Sequence, residues 1–151
     1  MTAIRIRLGD PRDPAATALL EASQALMRSL FPAEANHYLS IDALTGPGIH
    51  FFVAEHGDAV RGCAALAEKD GYAEVKSMFV DPDARGLGIG DALMAHLIEV
   101  GQRLAVPLIR LETGNALHAA HRLYARHGFE RRGPFGAYKD DPTSLFMERR
   151  L

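Results

Sequence analysis

The chain holds one cysteine, Cys63, among 151 residues, which excludes an internal disulfide. Cys63 stands in the apolar run Gly62-Cys63-Ala64-Ala65-Leu66. The expectation is a small buried side chain and not a nucleophile, because no activating group is visible beside it. Neither sign of charge is in excess: 17 Lys and Arg face 19 Asp and Glu, a net charge of −2. A nucleic-acid surface would need a basic stripe, and none is present. Arg131-Arg132 and Arg149-Arg150 read as solvated faces. No apolar run approaches the roughly 20 residues of a membrane span. The first residues alternate Ile and Arg and do not resemble a leader. The expectation is a protein of the reducing cytoplasm without a membrane partner. Also missing are the P-loop spacing, the HExxH pattern and paired cysteines. His118 and His121 are spaced for one helix face, but nothing supports a metal there, so none is expected.

What is present is ordinary for a globular protein: 48% hydrophobic and 24% charged residues. A chain of 151 residues is expected to form one domain, 1–151, with one sizeable core. Ile4, Ile6 and Leu8 alternate with Arg5 and Arg7, giving a half-buried strand. Leu19, Ala22, Leu26 and Leu30 recur at helical spacing and predict a helix over 14–30, broken by Phe31-Pro32. A shorter helix is expected over 33–44. Three antiparallel strands follow at about 50–55, 59–68 and 72–80, separated by His56-Gly57-Asp58 and Lys69-Asp70-Gly71. A helix over 90–104, a strand over 107–112 and a helix over 116–127 come next, with Asn115 as the helix N-cap. Short strands at 129–132 and 144–149 close the chain. The expected architecture is α/β in the α+β sense: a central mixed, mostly antiparallel sheet of about seven strands with about four flanking helices. The crossover from 72–80 to 107–112 makes those two strands parallel.

The most informative stretch is the passage from strand to helix at residues 74–104. Asp81-Pro82-Asp83 stops the strand, and Arg85-Gly86-Leu87-Gly88-Ile89-Gly90-Asp91 opens the helix. The first N–H groups of a helix lack internal partners and carry the positive end of its dipole. Glycines let a ligand approach those donors, and Arg85 adds a permanent charge. Together they describe a phosphate or pyrophosphate cradle. The dinucleotide fingerprint fails here, because its third glycine would fall on Asp91 or on Leu93.

Arg85-x-x-Gly88-x-Gly90, placed between strand and helix, resembles the acetyl-CoA loop of the GNAT superfamily of N-acetyltransferases. A second segment, Leu123-Tyr124-x-x-x-Gly128-Phe129, is similar to the same family's motif closing the cofactor site. The element order matches the GNAT fold along nearly the whole chain, most firmly over 74–129. The resemblance implies a set of expectations. Acetyl-CoA is the co-substrate, with its pyrophosphate on Arg85, Gly86, Leu87, Gly88, Ile89, Gly90 and Asp91. Its pantetheine arm pairs with the strand at Met78, Phe79 and Val80, and Asn115 gives a side-chain contact. Tyr124 protonates the departing thiolate, and a strand carboxylate, Glu74, takes the amine proton. Phe31, His37, Tyr38 and the loop 135–141 shape the acceptor pocket. The residues themselves leave other roles open: Tyr124 as core, and Glu74 as half of a surface pair with Lys76.

Glu74 shares a face with Tyr72, Lys76, Met78 and Val80 if the strand is regular. A bulge would change that facing, and Glu112 would then be the better base. The implied activity is transfer of an acetyl group to a primary amine of a small or amino-acid-like molecule, by direct attack. The competing expectation is a non-catalytic acyl-CoA-binding regulatory module. A homodimer is compatible with either.

Overall fold

The structure is a computed structural model that describes residues 3–151. Seven strands form one sheet: β1 (Ile4–Leu8), β2 (Ile49–His56), β3 (Ala59–Lys69), β4 (Tyr72–Val80), β5 (Leu108–Gly114), β6 (Glu130–Arg132) and β7 (Ser144–Arg150). Three α-helices accompany them: α1 (Pro14–Leu30), α2 (Ile89–Arg103) and α3 (His118–Arg126). The strand order is β1-β2-β3-β4-β5-β7-β6. Only β4 and β5 pair in parallel, across the α2 crossover; the other pairs are antiparallel. The expected mixed sheet is present. None of the described helices is long and apolar enough to cross a membrane.

The sheet is apolar on both faces because helices cover both. Phe52, Ala54, Ala64, Leu66, Ile109 and Leu111 meet Leu93, Met94 and Leu97 of α2. On the other face Phe51, Val53, Cys63, Ala65 and Phe79 meet Ala16, Leu19 and Leu20 of α1. Successive residues of β2 and β3 therefore serve opposite cores, which is why these strands read as continuous apolar runs. Burial pushes the Cys63 thiol up to about 12, so it stays protonated and unreactive.

Several expectations are corrected. There are three α-helices among the described residues, not about four. Residues 33–44 give only two 3₁₀ turns, Ala33–Ala35 and Ala43–Thr45. Local bonds hold the second turn: Ser40 Oγ accepts from the Ala43 N–H at 3.1 Å, and the Thr45 hydroxyl donates to Asp42 O at 2.7 Å. Such side-chain bonds compete with helix. α1 buries Ala16, Leu19 and Leu20, while Ala22 and Leu30 are exposed. Its core stripe is thus rotated from the expected one. α3 begins at His118 with Leu117 at the N-cap position. Asn115 does not cap it; its Nδ2 donates to Pro142 O at 3.0 Å and ties the end of β5 to the loop before β7. Arg132 is not simply solvated, since it joins Arg110 on Glu148, and Arg149 Nη1 is buried without a partner.

Candidate active site

The site begins where β4 and β5 part. Their shared register covers only Ala73↔Ile109 and Glu74↔Arg110. β4 nevertheless runs on to Val80 and β5 to Gly114. Each strand is paired on its far side, with β3 and β7. The facing edges beyond Glu74 therefore present backbone groups without a strand partner, a ready site for an extended ligand.

One side of this gap opens into a groove of ≈ 810 Å³ that reaches the N-terminus of α2. Gly86 and Gly88 have φ of 82° and 86°, a region that non-glycine residues enter only with strain. A Cβ at Gly86 would meet nothing within 4 Å, and one at Gly88 only Ile4 Cδ1 at 3.9 Å. Backbone conformation, not crowding, demands glycine at both positions. Gly88 is the N-cap of α2 and gives no side-chain bond, so the first N–H groups of the helix stay open. Arg85 is exposed on the groove. Asp91 lies in the first turn, but its carboxylate turns to α3: His127 Nε2 is 2.8 Å and Arg126 Nη2 3.2 Å away. The His127 bond first, then Arg126, hold its carboxyl below the usual range. Ile89 is buried and anchors the helix, whereas Leu87 is exposed at the loop tip. Phe79, Val80 and Met78 line the groove, with the Phe79 ring committed to the core beneath α1. The groove lining does not include Asn115.

A second cavity, of ≈ 130 Å³, adjoins the groove and shares Ser23, Met27, Met78, Leu117, Ala120 and Tyr124 with it. Tyr124 is 5% exposed and packs against Phe129. Burial first, then the nearby negative charge of Glu112, push its hydroxyl well above the ordinary tyrosine range. It therefore holds its proton at neutral pH. Glu112 lines the cavity and accepts a hydrogen bond from Ser144 Oγ at 2.9 Å. Burial raises its carboxyl above the usual value and Glu74 adds to that, against the pull of Ser144, His37 and Lys76. The apolar wall includes Met27, Phe31 and Val75, and His37 and Tyr38 complete it at the loop after α1.

Glu74 occupies different ground. A bulge opposite Ala64 sets Cys63 against Phe79 and Ala65 against Lys76, with Ser77 at φ 55°. Tyr72, Glu74, Lys76 and Phe79 consequently face the α1 side, while Val75, Met78 and Val80 face α2. The expected common face of Glu74 with Met78 and Val80 is thus broken by the bulge. Glu74 is 4% exposed and lies outside the lining of the cavity. Its Oε2 accepts from the Tyr138 hydroxyl at 2.5 Å and faces Lys76 Nζ at 3.5 Å. The pair is buried, not the surface pair that the sequence also allowed. Lys76 Nζ also donates to His37 O and to the Tyr138 hydroxyl, each at 2.9 Å. All three of its N–H bonds are thus engaged. This knot joins β4 to the loop after α1, which walls the cavity, and to the loop before β7, which reaches the lining only at Thr143 and not at the expected residues 135–141. The His37 and Tyr138 rings meet edge-on at 5.2 Å. Sequence reading missed Lys76 as an organising residue; its signal was a charge inside a central strand. It also missed Gly114, whose absent side chain makes room for the Phe31 ring.

The model of the acetyltransferase (GNAT) family matches residues 16–129. A protein named IAA acetyltransferase from Azospirillum brasilense is 40% identical over 153 residues, covering 100% of both chains. The uncharacterised N-acetyltransferase YsnE of Bacillus subtilis is 32% identical, covering 98% of this chain and 100% of its own. Among solved structures, PaiA N-acetyltransferase from Thermoplasma acidophilum, in complex with coenzyme A, superposes with a TM-score of 0.75. It covers 99% of both chains at 15% identity, which speaks for the fold alone.

Proposed function

The chain belongs to the GNAT family of acetyltransferases, acetyl-CoA-dependent enzymes, and from that premise we propose that it acetylates a primary amine of a small molecule by direct attack, with Glu112 as proton acceptor and Tyr124 as proton donor. One observation carries the reading: Glu112 and Tyr124 line one small cavity that meets the groove where β4 and β5 part. The residues present fit the co-substrate. Open N–H groups at the start of α2, two glycines at positive φ and Arg85 suit a pyrophosphate. The partnerless edge of β4 near Met78 and Val80 suits an amide-bearing arm.

Acetyl-CoA supplies the activated acetyl group. An alkylamine is protonated at neutral pH, so it must lose a proton before or during attack. Glu112, its proton affinity raised by burial, accepts that proton inside the cavity. Tyr124, protonated for the same reason, donates to the sulfur that leaves. Glu74 supports this arrangement from outside: it fixes Lys76 and Tyr138, and through them the two loops. No covalent enzyme intermediate is required, in keeping with the inert Cys63. The experiment is a panel of amines with acetyl-CoA, read by release of free thiol. Acetyl-CoA binding without thiol release over a wide panel would instead favour a non-catalytic module.

A further inference from the structure

The end of β5 holds a contact with a consequence for the acceptor. Phe31 is the residue after α1, 8% exposed, and its ring enters the cavity wall. The ring lies over Gly114 so closely that a Cβ there would stand 2.2 Å from Phe31 Cζ and 2.6 Å from Cε2. Atoms cannot approach to such distances, so a side chain at 114 and this ring position exclude each other. Gly114 has no positive φ; it is glycine because Phe31 occupies the space its side chain would take. The two residues are distant in sequence, and Phe31 lines the cavity but not the groove.

We propose that Phe31, seated on Gly114, sets the size of the acceptor and restricts this enzyme to compact amines; this rests on the cavity being the acceptor site. The volume is consistent. A cavity of about 150 Å³ holds benzene, and pockets for drug-sized ligands run to about 300–1,000 Å³. At ≈ 130 Å³ this half-open cavity encloses about one small ring or a short branched chain of the acceptor beneath Phe31. Truncating Phe31 joins the volume of its ring to the cavity. Adding a methyl at 114 drives the ring away from β5.

The test compares isobutylamine with 2-(1-naphthyl)ethylamine. Each is measured for kcat/KM with acetyl-CoA and for binding to the enzyme–CoA complex by calorimetry. Phe31→Ala should raise the naphthyl-to-isobutyl ratio at least tenfold in both measurements, and Phe31→Leu by a smaller factor. Gly114→Ala should change isobutylamine binding in the parent and have several-fold less effect when Phe31→Ala is already present. That non-additivity marks contact through the ring, where a general loss of stability would not. If Phe31→Ala does not fold, Phe31→Leu decides. A ratio unchanged within twofold, with acetyl-CoA affinity retained, overturns the size role and leaves the acetyltransferase reading intact. Isobutylamine that neither binds nor turns over in the parent overturns the preference for compact amines, while the acetyltransferase reading falls only if the wide amine panel also releases no thiol.

Discussion

The groove at the start of α2 and the cavity beneath Phe31 are neighbours built in opposite ways. The groove's polar end is backbone: consecutive residues 85–91, two of them at positive φ, with helix N–H groups as the donors. The cavity is side chains, drawn from α1, the loop after it, β4, β5 and α3. In the function proposed, backbone donors would recognise what every reaction of this kind shares, the cofactor, and side chains from separate elements what differs, the acceptor. Substitutions should therefore divide cleanly, with acetyl-CoA affinity responding in one region and turnover or fold in the other.

The largest expected effect falls where the two regions touch. Tyr124→Phe removes one hydroxyl, and kcat should fall by roughly 10²–10⁴-fold while acetyl-CoA affinity stays within a fewfold. Full turnover with only about 1 kcal/mol of lost stability would return Tyr124 to the core. Next comes Lys76→Met, which leaves the buried Glu74 carboxylate with Tyr138 alone. Chemical denaturation should show a loss of about 3 kcal/mol. Lys76→Met with Glu74→Gln should recover part of it, and both variants should bind acetyl-CoA normally. A surface-like loss of under about 0.5 kcal/mol would mean the knot does not hold the cavity walls.

Glu112→Gln separates chemistry from fold within one residue. The parent's rate should fall as pH drops through the raised pKa of Glu112, and the variant should lack that limb and recover in part at high pH. Stability should move the other way. A carboxyl whose folded pKa lies above its unfolded value stabilises the fold at low pH, and that contribution is lost as pH rises through the folded pKa. Glu112→Gln should therefore melt higher than the parent near neutral pH. Glu74→Gln is the control; if it, and not Glu112→Gln, removes the acid limb, the base is Glu74. The smallest effect is Gly88→Val. A branched residue at φ 86° adds about 1–3 kcal/mol of strain, and its side chain projects where the cofactor phosphates would lie. Acetyl-CoA should bind about tenfold more weakly by calorimetry. Unchanged affinity would remove the α2 loop from the cofactor site.

Legibility in the sequence follows the same division. The β4–α2–β5 crossover and the loop 85–91 could be read directly, because their chemistry depends on residues adjacent in the chain and on the ends of two elements. Tyr124 could be placed because it belongs to one helix. The bulge at Ser77 could not, since no glycine marks it and its register is set by β3. The rotation of α1 could not either: Leu19 and Leu20 allow two stripes, and only the sheet beneath selects Ala16, Leu19 and Leu20.

Taken alone, the amino-acid order determined the kind of fold, the glycine-rich opening of α2 and the place of Tyr124 on one helix, because period, punctuation and helix polarity are local properties of a chain. The tertiary structure decided which carboxylate faces the cavity, that Glu74 and Lys76 are buried partners, and that Phe31 rests on Gly114. Each of these depends on one strand shifting by a residue against its neighbour, or on side chains tens of residues apart competing for the same few ångströms. Only the packed chain resolves such a competition.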